Sequence, residues 1–548
     1  MLDQPSKVIE YNSDQEVSIE SLISSEDKFK FIRAEIDNRI CELTYKVKQP
    51  CKIELFDIAK DSESQLIYKS TLMYVIAMAC HNLFPNMKML FSNDSSRSVY
   101  VRPKNHSQIL TLDKFYKITE EVNRLISLDL PIVKRLVTKQ EAAEIYRKLN
   151  MKDKIDTLKY RKENMVHTYT CEGYSNYLYS YMCPSTGYLK KYNFIPRLYG
   201  FMVQFPRTEE KGEIPTYAPE PMYEKTLSDM RKWSSQIGID TIAKINRFVK
   251  DYSALDLIQL SETFHTNQLA ELGKKIADSE NDIRLICIAG PSSSGKTTFA
   301  NRLRLELLSH GIFPIRISAD DYYKEKKDMT PLADGSYDLE TIDAIDTQLF
   351  NHQMLQLIEG GEVVLPRFDF HSGKRVPGRK LKLLSHQPII VEGIHALSET
   401  LTSSIAQHNK FKIFIAPQAQ INIDDTAPIS LTDLRLLRRI VRDSKFRNSP
   451  AEETIDMWPS VRRGEFTWIY KTQEQADYVF NSFLPYELCV MHDYAMPLLS
   501  KIPPESTAYI SARRLLQFLK YFISIDEEGI PCNSLMREFI GGSCFKDI

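Results

Sequence analysis

Gly290-Pro291-Ser292-Ser293-Ser294-Gly295-Lys296-Thr297 reads GxxxxGKT. The apolar run Leu285-Ile286-Cys287-Ile288-Ala289 precedes it, and a helix-compatible stretch from Phe299 to Leu308 follows. Strand, glycine-rich turn and helix in that order are the context in which this pattern is a phosphate-binding loop. The glycines let the backbone wrap closely around phosphate oxygens. The loop N–H groups and the following helix N-terminus supply positive potential. Gly290, Ser292, Ser293, Ser294, Gly295, Lys296, Thr297 and Thr298 are therefore the candidate nucleotide contacts. Lys296 is placed to reach the β- and γ-phosphates of ATP, and the Thr297 hydroxyl to ligate Mg²⁺.

The rest of the composition narrows the class. A chain of 548 residues predicts two or three domains. A formal net charge of −1 offers no global field for DNA or a membrane surface. The apolar stretch Leu72 to Cys80 is too short to cross a bilayer. Met1-Leu2-Asp3-Gln4 lacks the basic start of a signal peptide, and nine cysteines without a CxxC pair fit reduced thiols, so a cytoplasmic protein is expected.

Around Arg207 to Pro221 the composition shifts to a Pro-bearing loop, and 224–282 has helical spacing at Leu269, Leu272 and Ile276. Beyond it, strand candidates at Phe313 to Ile317, Ile389-Ile390-Val391 and Phe411 to Ile415 alternate with helical stretches at Ile342 to Ile358 and Leu431 to Lys445. This alternation predicts an α/β domain, a parallel sheet with helices on both faces. The N-terminal part mixes short strands, Cys51 to Phe56 and Val99 to Val101, with the helix Leu72 to Leu83, and reads as α+β.

Ligands of such sheets bind beyond the carboxyl ends of the strands. After the second strand comes Ser318-Ala319-Asp320-Asp321-Tyr322-Tyr323. A carboxylate there can deprotonate an attacking hydroxyl or help hold Mg²⁺, although paired Asp residues also cap helices and make turns. After the buried strand comes Glu392-Gly393-Ile394-His395, where Glu392 is a strand-end acid suited to Mg²⁺ and His395 reads as structural. Arg435, Arg438, Arg439 and Arg442 share one helix face. Such a face is either solvated or a cationic lid over a triphosphate. The tyrosines Tyr169, Tyr174, Tyr177, Tyr179, Tyr181 and Tyr188 read as strand core and surface, without the basic interleaving of a nucleic-acid face.

Taken in order, GPSSSGKTT, SADDYY, Tyr337-Asp338 with Asp343 to Asp346, Pro366 to Phe370, IIVEGI and RLLRRIVRD resemble the uridine kinase/phosphoribulokinase family of P-loop kinases over about 285–500. The resemblance implies transfer of the ATP γ-phosphoryl to a hydroxyl, the 5′-OH of a pyrimidine nucleoside in uridine kinases. By it, Asp320 matches the acid that activates the hydroxyl and contributes to the metal site. Lys296 and Arg438 match catalytic cations. Thr297 and Glu392 match the Mg²⁺ site, and Arg442 the nucleotide side. Asp321, Tyr323, Asp343, Phe368, Asp369, His371 and Arg435 match the acceptor side. Phe368 stands where the family carries Tyr, and His371 is about two residues out of register with the base-reading His, so the kinase reaction is better supported than uridine itself.

The front of the chain resembles threonyl-tRNA synthetase instead. Residues 1–62 are similar to its ubiquitin-like TGS module and 63–207 to its editing module, on Phe29 to Tyr45, Thr71 to Pro85 and Pro184 to Gly187. At the positions of the editing His and Cys residues stand Lys69, Met73, Leu178 and Met182, so editing and zinc binding are not expected. Three further divisions complete the expected layout: 208–282 as linker and helical lead-in, 283–502 as kinase-like domain and 503–548 as C-terminal extension. The pairing of the two halves resembles a class of long nucleoside-kinase-like proteins, which Arg537-Glu538-Phe539-Ile540-Gly541-Gly542-Ser543 also fits. Two alternatives stay open. One is a kinase for another acceptor, such as a sugar phosphate. The other is a nucleotide-dependent regulatory or RNA-associated protein; no sequence feature supports RNA binding, and a homo-oligomer is compatible with the chain.

Overall fold

The computed structural model describes residues 4–105, 107–279, 282–331, 337–369 and 372–546. Its C-terminal half is built on five parallel strands: β1 Leu285–Ala289, β2 Ile315–Ser318, β3 Ile389–Glu392, β4 Lys410–Ala416 and β5 Tyr478–Asn481. Their spatial order is β2-β3-β1-β4-β5. The first strand thus lies between β3 and β4, where the winding reverses and a crevice opens beyond the carboxyl ends. Every residue of β1 is buried, which is why it reads as an unbroken apolar run. Ile286 and Ile288 face one core with Phe299, Leu303, Leu434 and Leu437. Leu285, Cys287 and Ala289 face another with Phe350, Met354 and Leu357.

Three helices of this domain matter for the site: α1 Lys296–Ser309, α2 Thr347–Ile358 and α3 Leu431–Phe446. The single helix expected over 342–358 is interrupted. A 3-10 turn covers Ile342–Ala344, and Asp346 then accepts the Leu349 N–H to start α2 afresh. The second strand begins two residues later than expected, because Pro314 has no N–H for the ladder. Between α2 and β3 runs an antiparallel hairpin, Glu362–Asp369 with Lys374–Lys382.

The stretch 208–282 is more than a linker. Helices Pro221–Ile237, Ile242–Asp251 and Ala254–Ala277 contribute Met230, Ile245, Leu257 and Leu272 to the same core as β1. Pro221 opens the first of them, where its missing N–H costs nothing. The C-terminal extension joins that core too, through Leu515, Leu535, Phe539 and Ile540. The divisions expected at 282 and 502 therefore do not separate cores.

The N-terminal part combines antiparallel strands with the helix Ser62–Leu83, longer than the expected Leu72 to Leu83 because the Asp61 carboxylate caps it at Ser64 N–H. One sheet orders Lys7–Tyr11, Cys51–Phe56, Arg33–Ile36 and Arg39–Cys41, and another orders Asn193–Arg197, Gly200–Gln204, Val99–Pro103 and Met89–Asn93. One continuous core runs from Tyr11 to Phe205, so the division expected at 62/63 falls inside it. Tyr169, Tyr174 and Tyr188 are buried there. No helix among the described residues is long and apolar enough to cross a membrane.

The two halves meet at a short hairpin, Asn422–Asp424 with Ala427–Pro428, immediately before α3. Phe91 N–H donates to Asp425 O at 2.8 Å, and Asn422 Nδ2 donates to Phe91 O at 2.6 Å. Lys154 and Asp424, 3% and 0% exposed, pair at 2.6 Å, and the Tyr179 hydroxyl donates to the same carboxylate. Arg514 bridges Glu63 of the front half and Asp433 of α3.

A buried ion pair that loses one partner leaves the other charge desolvated and uncompensated. Asp424→Ala should therefore lower the unfolding free energy by about 3–5 kcal/mol in urea denaturation. The double variant Lys154→Met/Asp424→Leu should recover most of that loss. A single-variant loss below about 1 kcal/mol, the range of an exposed pair, would contradict this view of the junction.

Candidate phosphate-binding and phosphoryl-transfer site

The loop 290–295 joins β1 to α1 in the crevice. A Cβ on Gly290 would sit 2.0 Å from Ile415 O of β4, so only glycine lets the strand end pass so close. Ser293 and Gly295 take positive φ, 60° and 90°, which turns successive loop amides to one side. The residue before α1, Gly295, offers no side-chain cap. The hydroxyls of Ser293, Ser294 and Thr298 are buried without a partner among the described residues. A cradle of N–H and O–H donors at an open helix end is suited to phosphate oxygens.

Lys296 Nζ donates to Gly290 O at 3.0 Å and Pro291 O at 3.3 Å, folded back over the loop. Burial lowers its pKa, against the pull of Glu392, Asp320 and Glu538. Asp320 follows β2 in a turn whose start is fixed by its own N–H donating to Ser318 Oγ at 3.3 Å. Burial raises the Asp320 pKa; Lys296 opposes this and Asp321 adds to it. Glu392 ends β3, and burial, with Asp320 beside it, pushes its carboxyl up to about 7 despite Lys296. The ends of β2 and β3 abut: a Cβ on Gly393 would lie 2.7 Å from Ala319 Cβ and 3.7 Å from Asp320 Oδ1. The sequence thus places one cation and two acids in a single desolvated cluster. Among the described residues no group of three or more His, Cys, Asp or Glu forms a cage for a metal. A hydroxyl with one or two carboxylates is nonetheless the hard-oxygen set that Mg²⁺ takes when phosphates and water complete its shell. Thr297, Asp320 and Glu392 fit that chemistry.

The acceptor-side residues lie around the hairpin. Asp321 accepts the Phe368 N–H at 3.3 Å and so fastens hairpin to sheet. The Tyr323 ring lies 5.7 Å from that of Phe368, and its hydroxyl donates to Leu339 O at 2.9 Å. Asp369 accepts the Ser372 hydroxyl at 2.7 Å. Asp343 lies exposed on the turn Ile342–Ala344. His371 lies outside the described residues. His395 bonds Glu340 O at 2.9 Å, and burial holds its pKa down at about 4.

The arginine face of α3 departs from the expected free lid. Arg435 is ion-paired with buried Glu465, and it donates to Ser292 O at 3.2 Å and to the Tyr470 hydroxyl at 2.8 Å. Arg438, 1% exposed, pairs with Glu487 at 2.5 Å and donates to Ser293 O at 3.3 Å and Ser482 O at 2.8 Å. Arg439 donates to Ser292 Oγ at 2.9 Å, and Arg442 pairs with Asp443 at 2.7 Å. Guanidinium groups this deeply buried need carboxylate partners. Arg435, Arg438 and Arg439 brace the phosphate loop instead of swinging over it, Arg442 is held by Asp443, and in this arrangement Arg438 is committed to Glu487 rather than free to reach a transferred phosphoryl group.

Two carboxylates near the loop escaped the sequence reading. Glu340 is pushed up to about 7 by burial and by Glu465. Glu538, from the last segment of the chain, accepts the Thr298 N–H at 3.0 Å. The only sequence signal for it is the Arg537 to Ser543 block.

Comparison with known proteins finds likeness over the C-terminal half of the chain. Residues 285–487 match the Phosphoribulokinase / Uridine kinase family. A uridine kinase of Borrelia duttonii is 32% identical over 205 residues, covering 36% of this chain and 85% of its own. A uridine kinase of Staphylococcus epidermidis is 30% identical over 205 residues, covering 36% and 87%. A solved structure described as a possible uridine kinase from Bacillus stearothermophilus has a TM-score of 0.28 and 20% identity, covering 39% of this chain and 98% of its own.

The raised pKa of Glu392 makes stability depend on pH. In the unfolded chain the group ionises near 4.5, in the folded one near 7. Its neutral form therefore suits the fold fully below 4.5, and stability is lost as pH rises towards 7. Glu392→Gln should stabilise the nucleotide-free protein by about 1–3 kcal/mol at pH 8 and by much less at pH 5, in urea denaturation. An equal effect at both pH values would contradict the desolvated cluster.

Proposed function

The chain belongs to the phosphoribulokinase/uridine kinase family, and we propose that it moves the γ-phosphoryl group of ATP to a hydroxyl of a small molecule, most specifically the 5′-OH of a pyrimidine nucleoside. The observation that carries this reading is the convergence of Lys296, Asp320 and Glu392 at the mouth of the 290–297 cradle. The loop amides and Ser294 hold phosphate oxygens. Lys296 leaves the carbonyls of Gly290 and Pro291 and turns to the β- and γ-phosphates. Asp320, with a carboxyl raised by burial, takes the acceptor hydroxyl proton as the new O–P bond forms and the bond to the β-phosphate oxygen breaks. Thr297 and Glu392 would hold Mg²⁺, with Asp320 beside them. The metal would supply neutralisation of the phosphate charge. Arg435, Arg438 and Arg439 keep the loop in shape, and Arg442 adds positive potential near Lys296.

On the acceptor side, the Phe368 ring offers an apolar face for a base, with Tyr323, Asp321 and Asp369 around it and Asp343 on a nearby turn. Phe368 lacks the hydroxyl of the usual Tyr, so base reading falls to other groups. The front half carries a second part of the reading, a synthetase-derived module retained as a scaffold. Met73, Leu178 and Met182 are packed in its core. Lys69, its pKa pushed down to about 8 by burial, lies beside Phe205.

The test is ATP consumption by the full chain with Mg²⁺ against a panel of nucleosides and sugar phosphates. Turnover should depend on an added acceptor, with uridine or cytidine the best. Lys296→Ala should abolish it. Asp320→Asn should keep nucleotide binding and lower turnover by roughly 10²–10⁴-fold. Full activity of Asp320→Asn would remove the assigned base, and ATP consumption indifferent to every acceptor would remove the kinase reading.

A further inference from the structure

The last segment of the chain folds back onto the phosphate loop. Leu535, Met536, Phe539 and Ile540 are each at most 1% exposed. The Arg438 guanidinium lies 5.0 Å over the Phe539 ring, and Lys445 of α3 donates to Ile540 O. Two contacts reach the loop itself. A Cβ on Gly295 would meet Leu535 Cδ2 at 2.5 Å. The Glu538 carboxylate accepts the N–H of Thr298 in the first turn of α1. That donor belongs to the set that an incoming phosphate oxygen needs, so a carboxylate and a nucleotide phosphate compete for one place.

Two cysteines flank the segment. Cys532 precedes it and Cys544 follows the turn at Gly541 and Gly542, whose φ values of 87° and 76° suit glycine. Both cysteines are exposed, unlike the buried Cys80, Cys171, Cys183, Cys287 and Cys489. The Cys544 N–H donates to Cys532 O at 3.0 Å, and burial and the neighbouring Cys532 thiol raise the Cys544 pKa. A backbone bond between the two residues brings them close enough for their side chains to meet, which a disulfide requires.

We propose that Cys532 and Cys544 are a reversible thiol–disulfide pair whose oxidation fastens the 533–543 segment onto the phosphate loop and weakens nucleotide binding. The oxidant is a hydroperoxide. One thiolate attacks the peroxide O–O bond and becomes a sulfenic acid, with hydrogen peroxide releasing one water. The second thiol attacks that sulfur, the S–S bond forms and a second water leaves, so two thiols and one hydrogen peroxide give one disulfide and two waters. A small thiol reverses the bond by exchange. Closing this short loop removes open states in which Glu538 withdraws from Thr298. The effect on binding rests on the nucleotide reading of the cradle, whereas the disulfide itself does not.

The test uses the full chain, reduced and then treated with hydrogen peroxide. Peptide mass spectrometry without reductant should find Cys532 joined to Cys544, and a small thiol should undo the bond. Thiols that stay free, that pair elsewhere or that pass on to sulfonic acids would overturn the assignment. Affinity for a fluorescent ADP analogue should fall about tenfold on oxidation and return on reduction. Cys532→Ser and Cys544→Ser should bind as the reduced protein does, with or without peroxide. Glu538→Gln should bind more tightly than the reduced parent and lose most of the oxidation effect. A disulfide that forms with no change in affinity would overturn the link to the phosphate loop. Failure of the reduced protein to bind nucleotide at all would remove the nucleotide reading and that link together, while the cross-link would still be read by mass.

Discussion

Lys296 is half-buried, and the partial loss of water disfavours its ammonium form. Asp320 and Glu392 offset that cost, but each is itself destabilised by burial, Asp320 also by Asp321 and Glu392 by Asp320. None of the three has an environment that satisfies it in the nucleotide-free protein. That imbalance shapes the surroundings: three strand ends meet at one point, glycines allow close passage, and Lys296 bends back to the carbonyls of Gly290 and Pro291. A polyphosphate with its counter-ion supplies what the cluster lacks, which gives a physical reason for the site to bind one.

Holding such a loop requires a rigid frame, and α3 provides it. Arg435, Arg438 and Arg439 each donate to Ser292 or Ser293. Their positive charge is balanced by Glu465, Glu487 and Asp443. The same helix begins where the front half docks, through Asp433 and Arg514, and ends where the C-terminal segment returns, through Lys445. One helix therefore touches the phosphate loop, the N-terminal half and the chain's last segment. A shift of α3 along its axis would be felt at all three, so the front half is mechanically connected to the site without contributing a residue to it.

How much of this was legible follows from how local each signal is. The run Leu285 to Ala289 names a strand buried on both faces, and GxxxxGKT names the turn and helix after it. Asp320 and Glu392 were found because residues just past apolar strands fall in the crevice by topology. The arginine helix was legible as a helix but not in its role. The partners that neutralise Arg435 and Arg438 lie 30 and 49 residues along the chain, and spacing on one face carries no record of them. Glu538 meets Thr298 across 240 residues, and Lys154 meets Asp424 across 270. Such pairings arise when separate elements share a core, which local periodicity does not encode. The divisions at 62 and 502 followed resemblance and the one at 282 helical spacing, whereas the cores follow packing.

The most direct test of the central claim is a crystal structure of the full chain with Mg²⁺ and a non-hydrolysable ATP analogue. The β-phosphate should lie inside the 290–297 loop, with Lys296 Nζ moved from Gly290 O and Pro291 O onto phosphate oxygens, and Asp320 and Glu392 facing the γ-phosphate end. An analogue bound elsewhere on the protein, with Lys296 still folded onto the loop carbonyls, would contradict the claim.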